Sequence, residues 1–327
     1  MEILKTKYKD MHLQETSGKV KDYIIKIVKF VIISGIAYVI LQPWVVLILR
    51  SFMDRQDMYN ADVFIIPRNF TFYNMAYVWE LLGYTKGFFD SLWYAGINTL
   101  LQIISCTLVA YGFARHNFRF KKLLFGCVIL TIIVPPTTVI INQYLYFLRF
   151  DMFGLFKLFG MPPKDLTKGF WVILIQSATA MGIKNGIFIY LIKQMFERVP
   201  IETQESARVD GANSFVVFYR IMVPSVVNGI ISCSLLMFVW SWNDKFLTAW
   251  FGSGKEILIF RVMDIYSILG RASQGYGHIR PTMEFTPQVN LLLSNVASFL
   301  YILPLIVLYI VAQKHFVEGI ERSGIVG

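Results

Sequence analysis

The sequence predicts an all-α, polytopic membrane protein with six transmembrane helices. Of its 327 residues, 56% are hydrophobic and only 16% charged, where a soluble domain carries roughly a quarter charged residues; the mean hydropathy is +0.55. The apolar residues fall in six long runs, 30–49, 91–114, 123–148, 170–192, 221–242 and 291–313, each able to cross a hydrocarbon core that needs about 20 helical residues. Five of the six contain no Asp, Glu, Lys or Arg, and the fourth contains only Lys184. Helices follow because in lipid every backbone N–H and C=O must be paired within the segment or inside a closed barrel. Barrel strands alternate in and out over about 10 residues, and these runs do not.

Residues 1–29 are mostly polar and basic, with Lys5, Lys7, Lys9, Lys19, Lys21, Lys26 and Lys29. No small-residue cleavage site follows the first run, so 30–49 is expected to remain as the first membrane helix. Segment 50–90 is an external loop. The second run leads into a link crowded with Arg115, Arg119, Lys121 and Lys122. Basic flanks mark the cytoplasmic side, which places both termini inside. They read as an orientation signal touching anionic lipid, in preference to a nucleic-acid-binding tail. The third run holds Pro135-Pro136, a pair expected to kink or interrupt the helix, either shaping a pathway or as a static packing bend. An external loop, 149–169, contains Met161-Pro162-Pro163. The fourth run carries Lys184, which costs about 2.5–3.5 kcal/mol at bilayer depth and must face protein or water. With Asn185 it either lines a polar path or is neutralised at a helix interface, where Gly182 and Gly186 permit close approach. Segment 243–290 is the longest external stretch, with Gly252-Ser253-Gly254, an amphipathic stretch 257–269 and Gly275-Tyr276-Gly277. Pro304 is expected to kink the sixth helix, and 314–327 forms a cytoplasmic tail.

Several chemistries are absent from the pattern. Cys106, Cys127 and Cys233 lie inside predicted spans without a CxxC spacing, and the four histidines are far apart; neither a disulfide framework nor a metal site is expected. The chain has no P-loop, GxSxG or HExxH motif, so it offers no nucleotide site or catalytic centre of its own.

Between the fourth and fifth runs, the cytoplasmic segment 199–224 reads as a structured element. Pro200 stands at a helix start, where its missing donor does no harm. Thr203 or Glu202 is available as a cap and Glu205 suits the N-terminal end of the dipole. Gly211 permits the left-handed residue that ends such a helix. Asp210 either caps the following helix or bonds the turn, and a second helix runs from about Ser214 toward Pro224. The expected shape is a short helix, a sharp turn and a second helix.

This segment resembles the EAA loop of bacterial ABC importer permeases, with Glu205, Ser206, Ala207, Gly211, Ile221 and Pro224 at the family's spacings and Asp210-Gly211-Ala212 in the form common to carbohydrate uptake. Ser206 and Val223 are mild departures in size. Ser241-Trp242-Asn243-Asp244 resembles a signature of maltose-type sugar permeases, as do Asn98-Thr99-Leu100, Tyr111–Arg115 and Gln313–Ile320. The resemblance runs from about Ser91 to the C-terminus, a permease core of 91–313. It implies a type I ABC importer permease fold in a bacterial cytoplasmic membrane. The implied partners are a second permease subunit, usually a different chain, two ABC ATPase subunits and an extracytoplasmic solute-binding protein. No cofactor is expected on this chain; ATP and Mg would sit on the ATPases. Helix 201–211 would be the coupling helix, with Glu205 offering a carboxylate to the ATPase, Ala207 packing tightly against it and Gly211 making the turn. Trp242 and Asn243 either present an aromatic face and an amide to a sugar or anchor the chain at the interface, with Lys184 and Asn185 as further path candidates. An importer for peptides or polyamines is the nearest rival. An ion-coupled carrier is disfavoured because the spans contain no acid.

Overall fold

The computed structural model describes residues 2–182, 184–252, 257–274 and 286–324. In chain order the helices are α1 (Glu2–Ser51), α2 (Arg55–Met58), α3 (Tyr73–Leu81), α4 (Tyr84–Arg115), α5 (Lys121–Ile133), α6 (Pro136–Leu148), α7 (Leu155–Leu158), α8 (Trp171–Ala178) and α9 (Asn185–Arg198). They continue through α10 (Ile201–Val209), α11 (Ser214–Val216), a π-helical stretch (Val217–Met222), α12 (Val223–Ser225), α13 (Val227–Trp242), α14 (Phe246–Phe251), α15 (Leu258–Met263), α16 (Ile265–Ser273) and α17 (Pro287–Gly324). The expected all-α class is observed; among the described residues the only β pairings are two isolated bridges.

Three unbroken helices are long and apolar enough to cross a membrane, Tyr23–Ser51, Tyr84–Arg115 and Pro287–Lys314. Two bent pairs meet the same test together: Lys121–Ile133 with Pro136–Leu148, at 106°, and Ser214–Ser225 with Val227–Trp242, at 78°. The fourth apolar run is divided into α8 and α9 over residues 179–184. Each break has a local cause. Val134 and Pro135 are both extended, ψ 121° and 137°, because a residue preceding proline is pushed out of the helical region, and Pro136 then starts α6 where no donor is needed. In the α8–α9 break Ala180 has φ +58°, a left-handed conformation uncommon for any residue with a Cβ. Pro304 does not interrupt its helix, since α17 runs through it.

The chain forms two compact units, Met1–Ala76 with Phe285–Phe299, and Tyr77–Glu284 with Leu300–Gly327. In the first, the buried carboxylate of Asp57 accepts from the amide of Asn69 at 2.7 Å and from its Nδ2 at 3.0 Å. Asn74 Nδ2 donates to the Met53 carbonyl at 2.8 Å, and Phe52 packs edge-on to Phe72 and Phe299. These bonds fold the segment after α1 back on itself.

In the second unit α4 is the central helix, packed by α8, α9, α13 and α15. One core joins Tyr111, Phe188, Phe196, Val217, Met222 and Met237. A second gathers Tyr94, Ile140, Phe147, Ile173 and Phe251. Gly186 supplies the close approach expected of it: a Cβ there would lie 2.4 Å from Thr131 Oγ1 and 3.0 Å from the Val128 carbonyl of α5. The expected amphipathic stretch is α15 and α16, which bury Leu258, Ile265, Leu269 and Ala272. Ser253, Gly254 and Gly275-Tyr276-Gly277 lie outside the described residues.

Candidate functional site

Residues 199–224 form the helix, turn and helix read from the sequence, with different caps. α10 begins after Pro200, which stands at the cap with no side-chain bond, so neither Glu202 nor Thr203 caps it. α10 ends at Val209, two residues short of the expected Gly211. Gly211 has φ +84°. Its amide donates to the Arg208 carbonyl at 3.1 Å and the Ala212 amide to the Ala207 carbonyl at 3.0 Å. That pair of bonds is the Schellman pattern, which satisfies the last helical carbonyls and requires a left-handed residue at this position. Asp210 is the C-cap of α10; the cap of the next helix is Asn213, whose Oδ1 accepts from the Val216 amide at 2.9 Å.

The faces of α10 are distinct. Gln204 and Ala207, three residues apart, are buried, and Ala207 packs into the core with Phe196 and Val217. Ala207 therefore faces this chain's own interior, a correction to its expected contact with an ATPase. Glu202, Glu205, Ser206, Arg208, Asp210 and Gly211 are exposed. Exposed apolar side chains accompany them: Ile201, Val209 at 85%, and Phe215 stacked on Tyr219 at 6.5 Å. Contiguous exposed apolar groups rimmed by charge mark protein-binding surfaces. Ile221 is half-buried in the π-helical stretch, and Pro224 lies just before the 78° bend into α13.

Arg115, read from the sequence as an orientation charge and as the end of the Tyr111–Arg115 stretch, holds the base of this element. Its Nη2 donates to the carbonyls of Phe196 and Val199, at the end of α9 where the chain turns into α10. Both bonds come from the one terminal nitrogen, which ties the end of α9 to the start of the turn.

A cavity of about 220 Å³ lies where the helix breaks meet. Asn98 and Gln102 come from α4, Pro136 and Thr137 from the start of α6, and Gln176 and Ser177 from the end of α8. Gly182 and Lys184 come from the α8–α9 break, and Trp240, Ser241 and Asp244 from the end of α13 and just beyond it. Irregular backbone at membrane depth is tolerated where it lines a cavity or is covered by protein, and Pro136 does line one. The floor is a paired network: Asn98 Nδ2 donates to Ser241 Oγ at 2.8 Å, Ser177 Oγ donates to Asn98 Oδ1, and Ser105 Oγ donates to the Ser177 carbonyl at 2.6 Å. Lys184 Nζ stands 4.4 Å from the centroid of the Trp240 ring.

The four sequence-predicted path residues separate here. Lys184 lines the cavity. Asn185 is fully buried at the start of α9, its side-chain atoms without a hydrogen-bond partner. Trp242 is only 3% exposed and packs against Phe88, Phe238 and Tyr301. Asn243 is exposed; its Nδ2 donates to the Val239 carbonyl at 2.8 Å and its Oδ1 accepts from the Tyr301 hydroxyl at 2.9 Å. Neither Trp242 nor Asn243 lines the cavity. Trp240, in the last turn of α13, and Asp244, just beyond its end, do.

Residues 103–322 match the family described as binding-protein-dependent transport system inner membrane component. The chain is 26% identical over 234 residues to a probable ABC transporter permease protein of Pyrococcus horikoshii, covering 72% of this chain and 73% of that one. It is 23% identical over 285 residues to the melibiose/raffinose/stachyose import permease protein of Bacillus subtilis, covering 87% and 91%. In the crystal structure of a bacterial ABC transporter involved in the import of the acidic polysaccharide alginate, one chain superposes with a TM-score of 0.69 at 18% identity, covering 90% of this chain and 98% of that one. The fold is shared.

Proposed function

Since this chain belongs to the family of binding-protein-dependent transport system inner membrane components, we propose that it is one permease subunit of an ATP-driven importer of a sugar or oligosaccharide. It carries no ATPase site of its own; ATP and Mg act on two partner ATPase subunits. A solute-binding protein delivers the cargo from outside, and a second permease subunit completes the path. Both termini lie in the cytoplasm.

The observation that carries the coupling role is the hairpin 201–213. Its Schellman turn at Gly211 and its cap at Asn213 make it rigid, while Glu205, Arg208, Val209 and Phe215 are left exposed for a partner. A movement imposed on α10 is carried by the Ala207 contact into the core around α9 and α13, the two helices whose ends border the cavity. The coupling free energy has to pass through this contact because the ATP sites lie on other chains. Support for a saccharide comes from the Bacillus subtilis relative, named for melibiose, raffinose and stachyose, and from the hydroxyl- and amide-rich cavity floor. Co-purification with the ATPase tests the reading. Glu205→Lys and Gly211→Pro are expected to abolish it together with ATP-driven uptake; retention of both in both variants would overturn the coupling role.

A further inference from the structure

We propose that the cavity bounded by Lys184, Trp240, Gln176 and Asp244 binds a carboxylate-bearing sugar unit, and that Lys184 is the group that takes its carboxylate. This deepens the importer reading and rests on it. The lining contains one cation, Lys184, and one carboxylate, Asp244, which at first sight would neutralise one another. Asp244 is already engaged. Its Oδ1 accepts from the amides of Phe246 at 3.1 Å and Leu247 at 3.0 Å, and its Oδ2 accepts from the Tyr94 hydroxyl at 3.3 Å. The carboxylate is held by fixed donors, with Lys184 close enough to attract it but making no direct bond to it.

Lys184 is the opposite case. Among the described residues its Nζ makes a ring contact with Trp240 at 4.4 Å and no hydrogen bond or ion pair. An ammonium has three donors, and resting on a π face leaves donors pointing away from the ring for an incoming anion. A second opening lies nearby. Gln176 is 5% exposed, its Nε2 donates to Gln143 Oε1 at 3.3 Å, and its Oε1 is buried with no partner. An unsatisfied buried acceptor beside a cavity calls for a donor from a ligand, and a sugar hydroxyl supplies one. The cavity thus offers one positive charge, one vacant acceptor and an aromatic wall.

The count of charges selects the anion. A uronate brings a single negative charge, matched by the single ammonium. A phosphate monoester brings about 1.5–2 negative charges, more than one ammonium matches beside Asp244, with no guanidinium fork or row of backbone amides to spread them. A neutral sugar would leave the free donors of the ammonium without an anionic ligand.

The test uses the complete importer, both permeases and both ATPases, in nanodiscs, with the binding protein omitted so that its own selectivity plays no part. Saturation-transfer NMR compares a galacturonate trisaccharide with its methyl ester, which has the same rings and hydroxyls but no charge. The wild-type complex should bind the acid more tightly. Lys184→Gln should lower acid affinity about ten- to a hundredfold relative to the ester, the size expected on losing a hydrogen-bonded ionic partner, and Lys184→Arg should restore the preference. Equal binding of acid and ester by wild type overturns the inference whatever the variants do. So does a loss in Lys184→Gln that is the same for both sugars. ATP-driven uptake by the same complex, measured with the binding protein restored, separates the two levels. Uptake of saccharide without charge preference in the NMR experiment leaves the importer reading standing and removes only this inference; ATP-driven uptake of neither these sugars nor a neutral oligosaccharide such as raffinose would overturn both.

Discussion

Replacing Gly211 isolates a conformational contribution from a steric one. Its φ is +84° and a Cβ built on it meets nothing within 4 Å. A substitution there changes backbone energy without creating a clash. A non-glycine residue in the left-handed region costs about 1–2 kcal/mol, least for asparagine, whose short polar side chain bonds locally. Where docking to the ATPase holds the turn in this conformation, that cost is subtracted from binding, up to about 5–30-fold in affinity. The assay is ATPase binding to the purified permease pair, with ATP-driven uptake read in parallel. The expected order is Gly, then Asn, then Ala, then Val, with Gly211→Val worst because β-branched residues tolerate positive φ least. The global melting temperature should move far less than the affinity, since the turn is exposed. Alanine equal to glycine, or asparagine worse than alanine, would refute the assignment of Gly211 as a left-handed cap that docking requires.

Substitutions at four further positions probe other joints of the same structure. Arg115→Ala should remove the donors to the Phe196 and Val199 carbonyls, a loss of about 1.5–3 kcal/mol seen as a lower melting temperature together with weaker coupling of ATP hydrolysis to uptake; Arg115→Lys should restore this only in part. Gly186→Val drives a Cβ toward Thr131 Oγ1 and the Val128 carbonyl and should cost about 1–3 kcal/mol by overpacking, read as reduced thermal stability of the purified complex. Trp242→Ala should destabilise by about 3–5 kcal/mol without altering the choice between saccharides, while Trp240→Ala should alter that choice; the reverse pattern in a competition uptake assay would exchange their roles.

Much of this was legible in the sequence because some features admit few solutions. A charge in an apolar run must find water or protein, which singled out Lys184. A proline pair must break a helix, and a helix ending at D-G-A calls for glycine at positive φ, as Gly211 has. Other features depend on packing that composition does not record. The apolar run 221–242 is nearly uniform, so its facing could not be read: Trp242, the more conspicuous residue, is buried among Phe88, Phe238 and Tyr301, while Trp240 and Asp244 meet the cavity. The α8–α9 break contains no proline, and Ala180 at φ +58° gave no warning. Arg115 was seen as one of four clustered charges, and its carbonyl partners, 81 and 84 residues away, have no local signature. Pro304, by contrast, leaves its helix unbroken, since α17 runs on through it.

The account's central claim is that force received at the hairpin changes access to the cavity. It is tested most directly by placing a cysteine at Thr137, which lines the cavity beside Pro136, in a chain whose Cys106, Cys127 and Cys233 are replaced by serine or alanine. Labelling by a membrane-impermeant thiol reagent is then followed from each side of proteoliposomes holding the whole importer. The prediction is labelling from the cytoplasmic side without nucleotide, labelling from the external side when ATP is bound without hydrolysis, and no ATP-dependent change when Glu205→Lys is added. Labelling that is indifferent to ATP, or that still switches sides in the Glu205→Lys chain, would contradict it.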